Sequence, residues 1–173
     1  AENLVDDGPG VEAAFSDGGS GRYDLVIGAD GIHSRTRQML FPEAGDPEPA
    51  GQAVWRYNLP RPAGLDALQV YNGPVGIGLV PISADEMYMF VTTPVDPDAR
   101  KARDGLAARM RDKLARAAPR IRELGQGITE DEAVVYRPLE TMLVDGDWHK
   151  GRVALLGDAV HATTPHLGQG AGM

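Results

Sequence analysis

Two apolar runs lie far apart in this chain and end alike. Leu25-Val26-Ile27 stops at Gly28 and is followed by Asp30, in "DLVIGADG"; Val153 to Leu156 stops at Gly157 and is followed by Asp158, in "RVALLGDAVH". Neither run alternates with polar residues, which is the pattern of a strand covered on both faces of a parallel sheet. Open α/β sheets bind ligands beyond the carboxyl ends of their strands. Glycine at such an end lets a ligand approach the backbone. An aspartate there either accepts hydrogen bonds from sugar hydroxyls or caps its own turn, and for each aspartate alone both roles stay open. The two ends together demand a fold in which the chain leaves a sheet, builds something else, and returns to it.

Turns and breakers divide the whole chain into further elements. Val11–Phe15 and Tyr23–Ala29 read as strands separated by the turn "SDGGSG", and Ser34–Leu40 as a short helix closed near Pro42. The stretch "EAGDPEPA", residues 43–50, is acidic and rich in Pro and Gly, and reads as a boundary. Antiparallel-type strands come next, at about Gln52–Asn58, Leu68–Tyr71, Val75–Pro81 and Met87–Thr93. Asp96-Pro97 is a helix start, with a capping carboxylate and proline at the first position. One helix is expected from there to about Ala118, its apolar face marked by Leu106, Met110, Leu114 and Ile121, with Pro119 breaking or restarting it and Gly125 ending it. A strand at about Ala133–Pro138, a turn at Asp145–Asp147 and the second apolar run, Arg152–Gly157, complete the order. The fold class expected is α/β: residues 1–47 and 146–173 form one domain, and residues 48–145 an inserted α+β domain with an antiparallel sheet and a helix.

Composition removes several functions. With 17 Lys+Arg against 25 Asp+Glu, the formal net charge is −8, the wrong sign for a nucleic-acid binder. There is no cysteine, so neither disulfides nor thiolate chemistry is available. No apolar run has the ~18–20 residues of a membrane span, and no signal peptide opens the chain. Cytoplasmic location is the expectation. His161 and His166 lie five apart through Thr-Thr-Pro, which is not a helical ligand pair, so no metal is expected. The chain starts at Ala1 and stops at Met173 inside "GQGAGM", a pattern that reads as a helix start; an internal segment of a longer protein is expected.

That last segment, "HATTPHLGQGAGM", places Gly168, Gly170 and Gly172 where free backbone N–H groups and a positive helix dipole favour an electron-rich ligand. With it the motifs become specific. "DLVIGADGIHSRTR" resembles the DG motif, and "GRVALLGDAVHATTPHLGQGAGM" the GD motif, of the FAD-dependent aromatic-ring monooxygenases, the single-component hydroxylases of p-hydroxybenzoate and salicylate.

The resemblance implies an FAD-binding Rossmann-like domain with an inserted substrate domain. It implies Asp158 on the ribityl or ribose hydroxyls of FAD and Pro165 close to the flavin ring. Gly168, Gln169, Gly170 and Ala171 would offer N–H groups to the flavin N1–C2 edge. Asp30 and Gly31 would lie near the pyrophosphate and the NAD(P)H path, while Arg37 would anchor its turn. The reaction implied is hydroxylation of an aromatic or heteroaromatic ring with NAD(P)H and O2 through a flavin C4a-hydroperoxide. Related chemistries on the same fold (epoxidase, halogenase, isoprenoid reductase) and a flavin-free module are the alternatives, and a homodimer stays open. The family's opening G-x-G-x-x-G is absent, so the segment alone is expected to bind FAD weakly and to be inactive. In the inserted domain Gly76 and Gly78 share a strand face and leave room for a flat ring. Tyr88 is the pocket candidate, with Tyr71, Trp55 and Arg56 behind it.

Overall fold

The computed structural model describes residues 1–101 and 104–165. The chain divides into two compact units. One comprises Ala1–Ala50 with the chain from Glu140 on; the other is Gly51–Leu139.

The first unit opens with an antiparallel meander of β1 (Asn3–Asp6), β2 (Val11–Ala14) and β3 (Ser20–Tyr23). The chain then bends at Asp24–Leu25 into β4 (Val26–Gly28). A single strand over residues 23–29 is therefore not formed. The bend exists because β3 pairs with β2, whereas β4 pairs with a strand from the end of the chain. Arg152 braces this corner: its backbone N–H donates to Asp6 at 2.7 Å, its Nε to the Gly8 carbonyl at 2.5 Å, and its Nη1 to the Asp24 carbonyl at 3.0 Å. β1 escapes the sequence pattern because it is exposed and carries no apolar alternation. After β4 comes α1 (Arg35–Leu40), with Ser34 as its N-cap.

β5 (Glu48–Pro60) carries the chain into the second unit, followed by β6 (Gln69–Tyr71), β7 (Gly76–Pro81) and β8 (Glu86–Pro94). Then come α2 (Pro97–Lys101), α3 (Leu106–Lys113), α4 (Pro119–Gly125) and β9 (Val135–Leu143). The sheet order here is β9-β5-β8-β7-β6. Period-2 alternation sends Trp55, Tyr57, Leu59, Met87, Met89, Val91, Ile77 and Leu79 to one face, where they form a core with Leu106, Met110, Leu114 and Ile121. The apolar helix face and the restart at Pro119 with an end at Gly125 are as expected, but the stretch before Ala118 is two helices, not one. Gly105 takes φ +79°, a conformation that ends regular helix, and the amides of Gly105 and Ala107 are capped from a distance by Asp131, at 2.6 and 2.8 Å. At the front, Asp96 caps α2 through the amides of Asp98 and Ala99, at 3.1 and 3.2 Å.

The chain returns to the first unit through β10 (His149–Lys150), β11 (Val153–Leu155) and β12 (His161–Ala162). β11 lies parallel to β4, with Val153 opposite Val26 and Leu155 opposite Gly28. Burial is one-sided: Val153 and Leu155 are covered, whereas Ile27 is 57% and Leu156 56% exposed, so the two-face burial expected of both runs is reached in neither. β4 is the end strand of its three-stranded sheet, with β11 on one side only. Among the described residues no helix is long and apolar enough to cross a membrane.

Candidate functional site

The parallel pairing of β4 and β11 sets both glycine–aspartate turns at the same end of one sheet. Leu156 N–H donates to the Gly28 carbonyl at 3.0 Å, extending the ladder by one bond before the strands part. Gly28 is required by packing: a Cβ there would lie 2.5 Å from Thr36 Cγ2 and 2.9 Å from Leu155 Cδ2.

Beyond Gly28 the first turn folds on its own aspartate. The Ser34 hydroxyl donates to Asp30 Oδ1 at 2.5 Å; the Thr36 amide and hydroxyl donate to Oδ2 at 3.0 and 3.1 Å. Ser34 Oγ in turn accepts from the Arg37 amide at 2.9 Å, capping α1. Burial works to raise the Asp30 pKa, but the hydrogen bonds from Ser34 and Thr36 outweigh it and hold the carboxyl below its ordinary value. Gly31 sits at φ +82° with open space where a side chain would be.

The second turn is built differently. Gly157, at φ +61°, opens a short 3-10 turn, Gly157–Ala159, and has no atom within 4 Å of a Cβ position. Asp158 is exposed, and among the described residues its carboxylate has no hydrogen-bond or ion-pair partner. Pro165 is exposed. Gly168, Gln169, Gly170 and Ala171 lie outside the described residues.

Arg37 joins the two turns. It is fully buried, and its guanidinium donates from Nη1 to the Ala159 carbonyl at 2.8 Å and from Nη2 to the Ile32 carbonyl at 2.7 Å. Its burial lowers its pKa, against the opposing charges of Asp30 and Asp46. The turn-anchoring role is what the resemblance implies; the reach to Ala159 is not, because nothing local reports a partner 122 residues away.

A cleft of about 550 Å³ in this unit is lined by Asp46, Glu48, Asp145, His161, Thr163 and Thr164 among others. His161 is buried there with Nδ1 unpartnered, its ring 5.2 Å from that of Trp148.

In the second unit the sheet face opposite the core is partly open. Its rows follow from the register: Asn58–Tyr88–Val80, Arg56–Phe90–Gly78 and Val54–Thr92–Gly76. Tyr88 is half-buried on this face with the Arg56 guanidinium 4.0 Å from its ring centroid. The room expected above the two glycines is already filled. A Cβ at Gly78 would overlap the Phe90 ring, and one at Gly76 the Thr92 hydroxyl. Trp55 is no pocket residue: it is wholly buried in the core, 4.6 Å from the Tyr136 ring. Tyr71 is half-buried and bonds Gln69 at 2.8 Å.

Known proteins resemble this chain along most of its length. Residues 1–173 match the family model of the FAD binding domain. A 2-heptyl-3-hydroxy-4(1H)-quinolone synthase of Pseudomonas aeruginosa is 36% identical over 167 residues, covering 92% of this chain and 42% of that protein. An FAD-dependent urate hydroxylase of Klebsiella pneumoniae is 33% identical over 174 residues, covering 95% and 44%. The crystal structure of Klebsiella pneumoniae HpxO complexed with FAD and uric acid matches with a TM-score of 0.86 at 31% identity, over 98% of this chain and 44% of that one. The chain therefore spans less than half the length of these relatives.

Proposed function

Because the chain belongs to the FAD-binding domain family, we propose that it is part of an FAD-dependent, NAD(P)H-using monooxygenase that hydroxylates an aromatic or heteroaromatic ring. The observation that carries this reading is the parallel pairing of β4 with β11, which sets the Asp30 and Asp158 turns at one end of a sheet. That is where open α/β sheets take their ligands.

The residues present fit the cofactor. Asp158 offers an exposed carboxylate, unpartnered among the described residues, beside a glycine with open space. It would accept hydrogen bonds from ribityl or ribose hydroxyls. Gly31 offers uncrowded backbone for the pyrophosphate or the NAD(P)H path, and Asp30 shapes the turn that presents it. Arg37 holds the two turns at a constant separation. Pro165 is assigned to the flavin ring, and Gly168, Gln169, Gly170 and Ala171 to its N1–C2 edge, where free N–H groups would stabilise negative charge by about 0.3–2 kcal/mol. Bound FAD supplies the hydride and oxygen chemistry that no protein side chain can. The protein positions the ring and excludes water, and needs no side-chain nucleophile.

The open face of the second unit, which carries Tyr88, is assigned to the substrate. The relatives support a nitrogen heteroaromatic, since their names specify a quinolone and urate. The test is the full-length protein. It is expected to purify with FAD, oxidise NAD(P)H faster when substrate is added, and release a hydroxylated ring. A protein that takes up no FAD, or that oxidises NAD(P)H without ring oxygenation for any heteroaromatic tried, overturns the reading.

A further inference from the structure

We infer that Arg56 is a specificity residue of the open sheet face, selecting planar ring compounds that carry a carboxylate or enolate oxygen. The inference rests on the assignment of that face to the substrate.

β5 alternates, so Trp55 and Tyr57 enter the core and Arg56 stands on the other side between them. Its cross-strand partner is Phe90, and Tyr88 is the diagonal neighbour, opposite Asn58. The guanidinium lies 4.0 Å from the Tyr88 ring centroid, within the range of a cation–π contact. The Tyr88 and Phe90 rings are 6.4 Å apart, and Phe90 covers Gly78. The face thus presents two aromatic rings with one cation laid over the first.

Among the described residues Arg56 lacks a counter-charge, as do Arg35, Arg116, Arg120, Arg122 and Arg137; what distinguishes it from them is the aromatic ring under its guanidinium. Arg22, Arg61 and Arg109 each contact an aspartate within 4 Å. Among the described residues Arg56 has neither an acidic partner nor a hydrogen-bond acceptor. The carboxylate of Glu86 receives the Asn58 amide at 3.2 Å. Stacking on Tyr88 restrains the guanidinium while leaving its edge donors available. An arginine held in this way has lost part of its rotamer freedom before a ligand arrives, and its planar fork matches two oxygens of a carboxylate. The adjoining rings supply a surface on which the ligand's own ring can lie.

The test uses two near-isosteric probes, quinoline-2-carboxylate and quinoline-2-carboxamide, with the full-length protein and calorimetric binding. The wild type is expected to favour the carboxylate by about tenfold or more, as charged hydrogen bonds require. Arg56→Gln is expected to abolish that preference while leaving amide affinity, FAD content and the unfolding midpoint unchanged. Arg56→Lys keeps the charge without the planar fork, and is expected to restore only part of the preference. A wild type that binds both probes equally, or binds neither, overturns the inference; so does an Arg56→Gln protein that still prefers the carboxylate. Failure of the flavoenzyme reading registers separately, as a protein devoid of FAD.

Discussion

The Asp30 turn and the Asp158 turn start from the same sequence device and end in opposite states. Both come after a glycine at the end of paired parallel strands. Asp30 has both carboxylate oxygens committed, to the Ser34 hydroxyl and to the amide and hydroxyl of Thr36. Asp158 is exposed and, among the described residues, committed to nothing. The difference comes from the residues just downstream of each aspartate. After Asp30 a serine and a threonine arrive four and six residues on, at the first turn of a helix whose orphan amides need acceptors. After Asp158 come Ala159 and Val160, both buried, which provide no side-chain donor and turn their bulk inward. One aspartate builds the turn; the carboxylate of the other is unengaged among the described residues.

Removing the residue that ties the turns together gives the largest expected effect. Arg37→Ala strips two carbonyls, on Ile32 and Ala159, of their charged donor and leaves a void, and is expected to cost about 3 kcal/mol or more in urea denaturation of the full-length protein. An unchanged midpoint would mean the turns do not depend on this arginine. Next is Asp30→Ala, expected to lower stability by about 2 kcal/mol through loss of charged hydrogen bonds, with FAD affinity declining only as far as the fold is loosened. Asp158→Asn is the converse. Its urea midpoint should match wild type while FAD affinity weakens by about tenfold, read by flavin fluorescence. If Asp158→Asn unfolds the protein and Asp30→Ala spares it, the contrast between the turns is inverted.

The smallest effect is the pH dependence. The folded-state pKa of Asp30 is held down by hydrogen bonds that outweigh burial, so the folded form binds its proton less readily than the unfolded chain. Its contribution to stability is then complete above the unfolded value of about 3.9 and is lost as pH falls through the lower folded value. Wild type and Asp30→Asn are expected to differ in melting temperature at neutral pH and to converge in acid. A gap that widens on acidification contradicts the assignment.

Much of the fold was legible because it depends on local pattern. The spacing of Leu106, Met110, Leu114 and Ile121 identified the helical face that packs into the core of the inserted domain, whereas Trp55, expected near the pocket, belongs to that core. Ser34 and Asp96 identified two helix starts. The expectations that failed depended on distant partners. The helical stretch expected from Asp96 starts anew after Gly105, where Asp131 supplies the cap to α3 from a later segment. The strand over residues 23–29 breaks because its halves pair with different strands. At the site, the space over Gly78 was invisible as occupied, since no sequence rule tells which neighbouring ring will lie there.

The sequence alone determined the two apolar strand ends, the glycines that let them turn, and the motif context that specifies a family. These are short-range matters of backbone freedom and burial, written within a dozen residues. Only the tertiary structure decided which aspartate is spent and which is available, that Arg37 spans the two turns, and that Arg56 rests on Tyr88 without an acid beside it. Each of these is a competition among donors and acceptors brought together from separate segments, and its outcome exists only once those segments share one space.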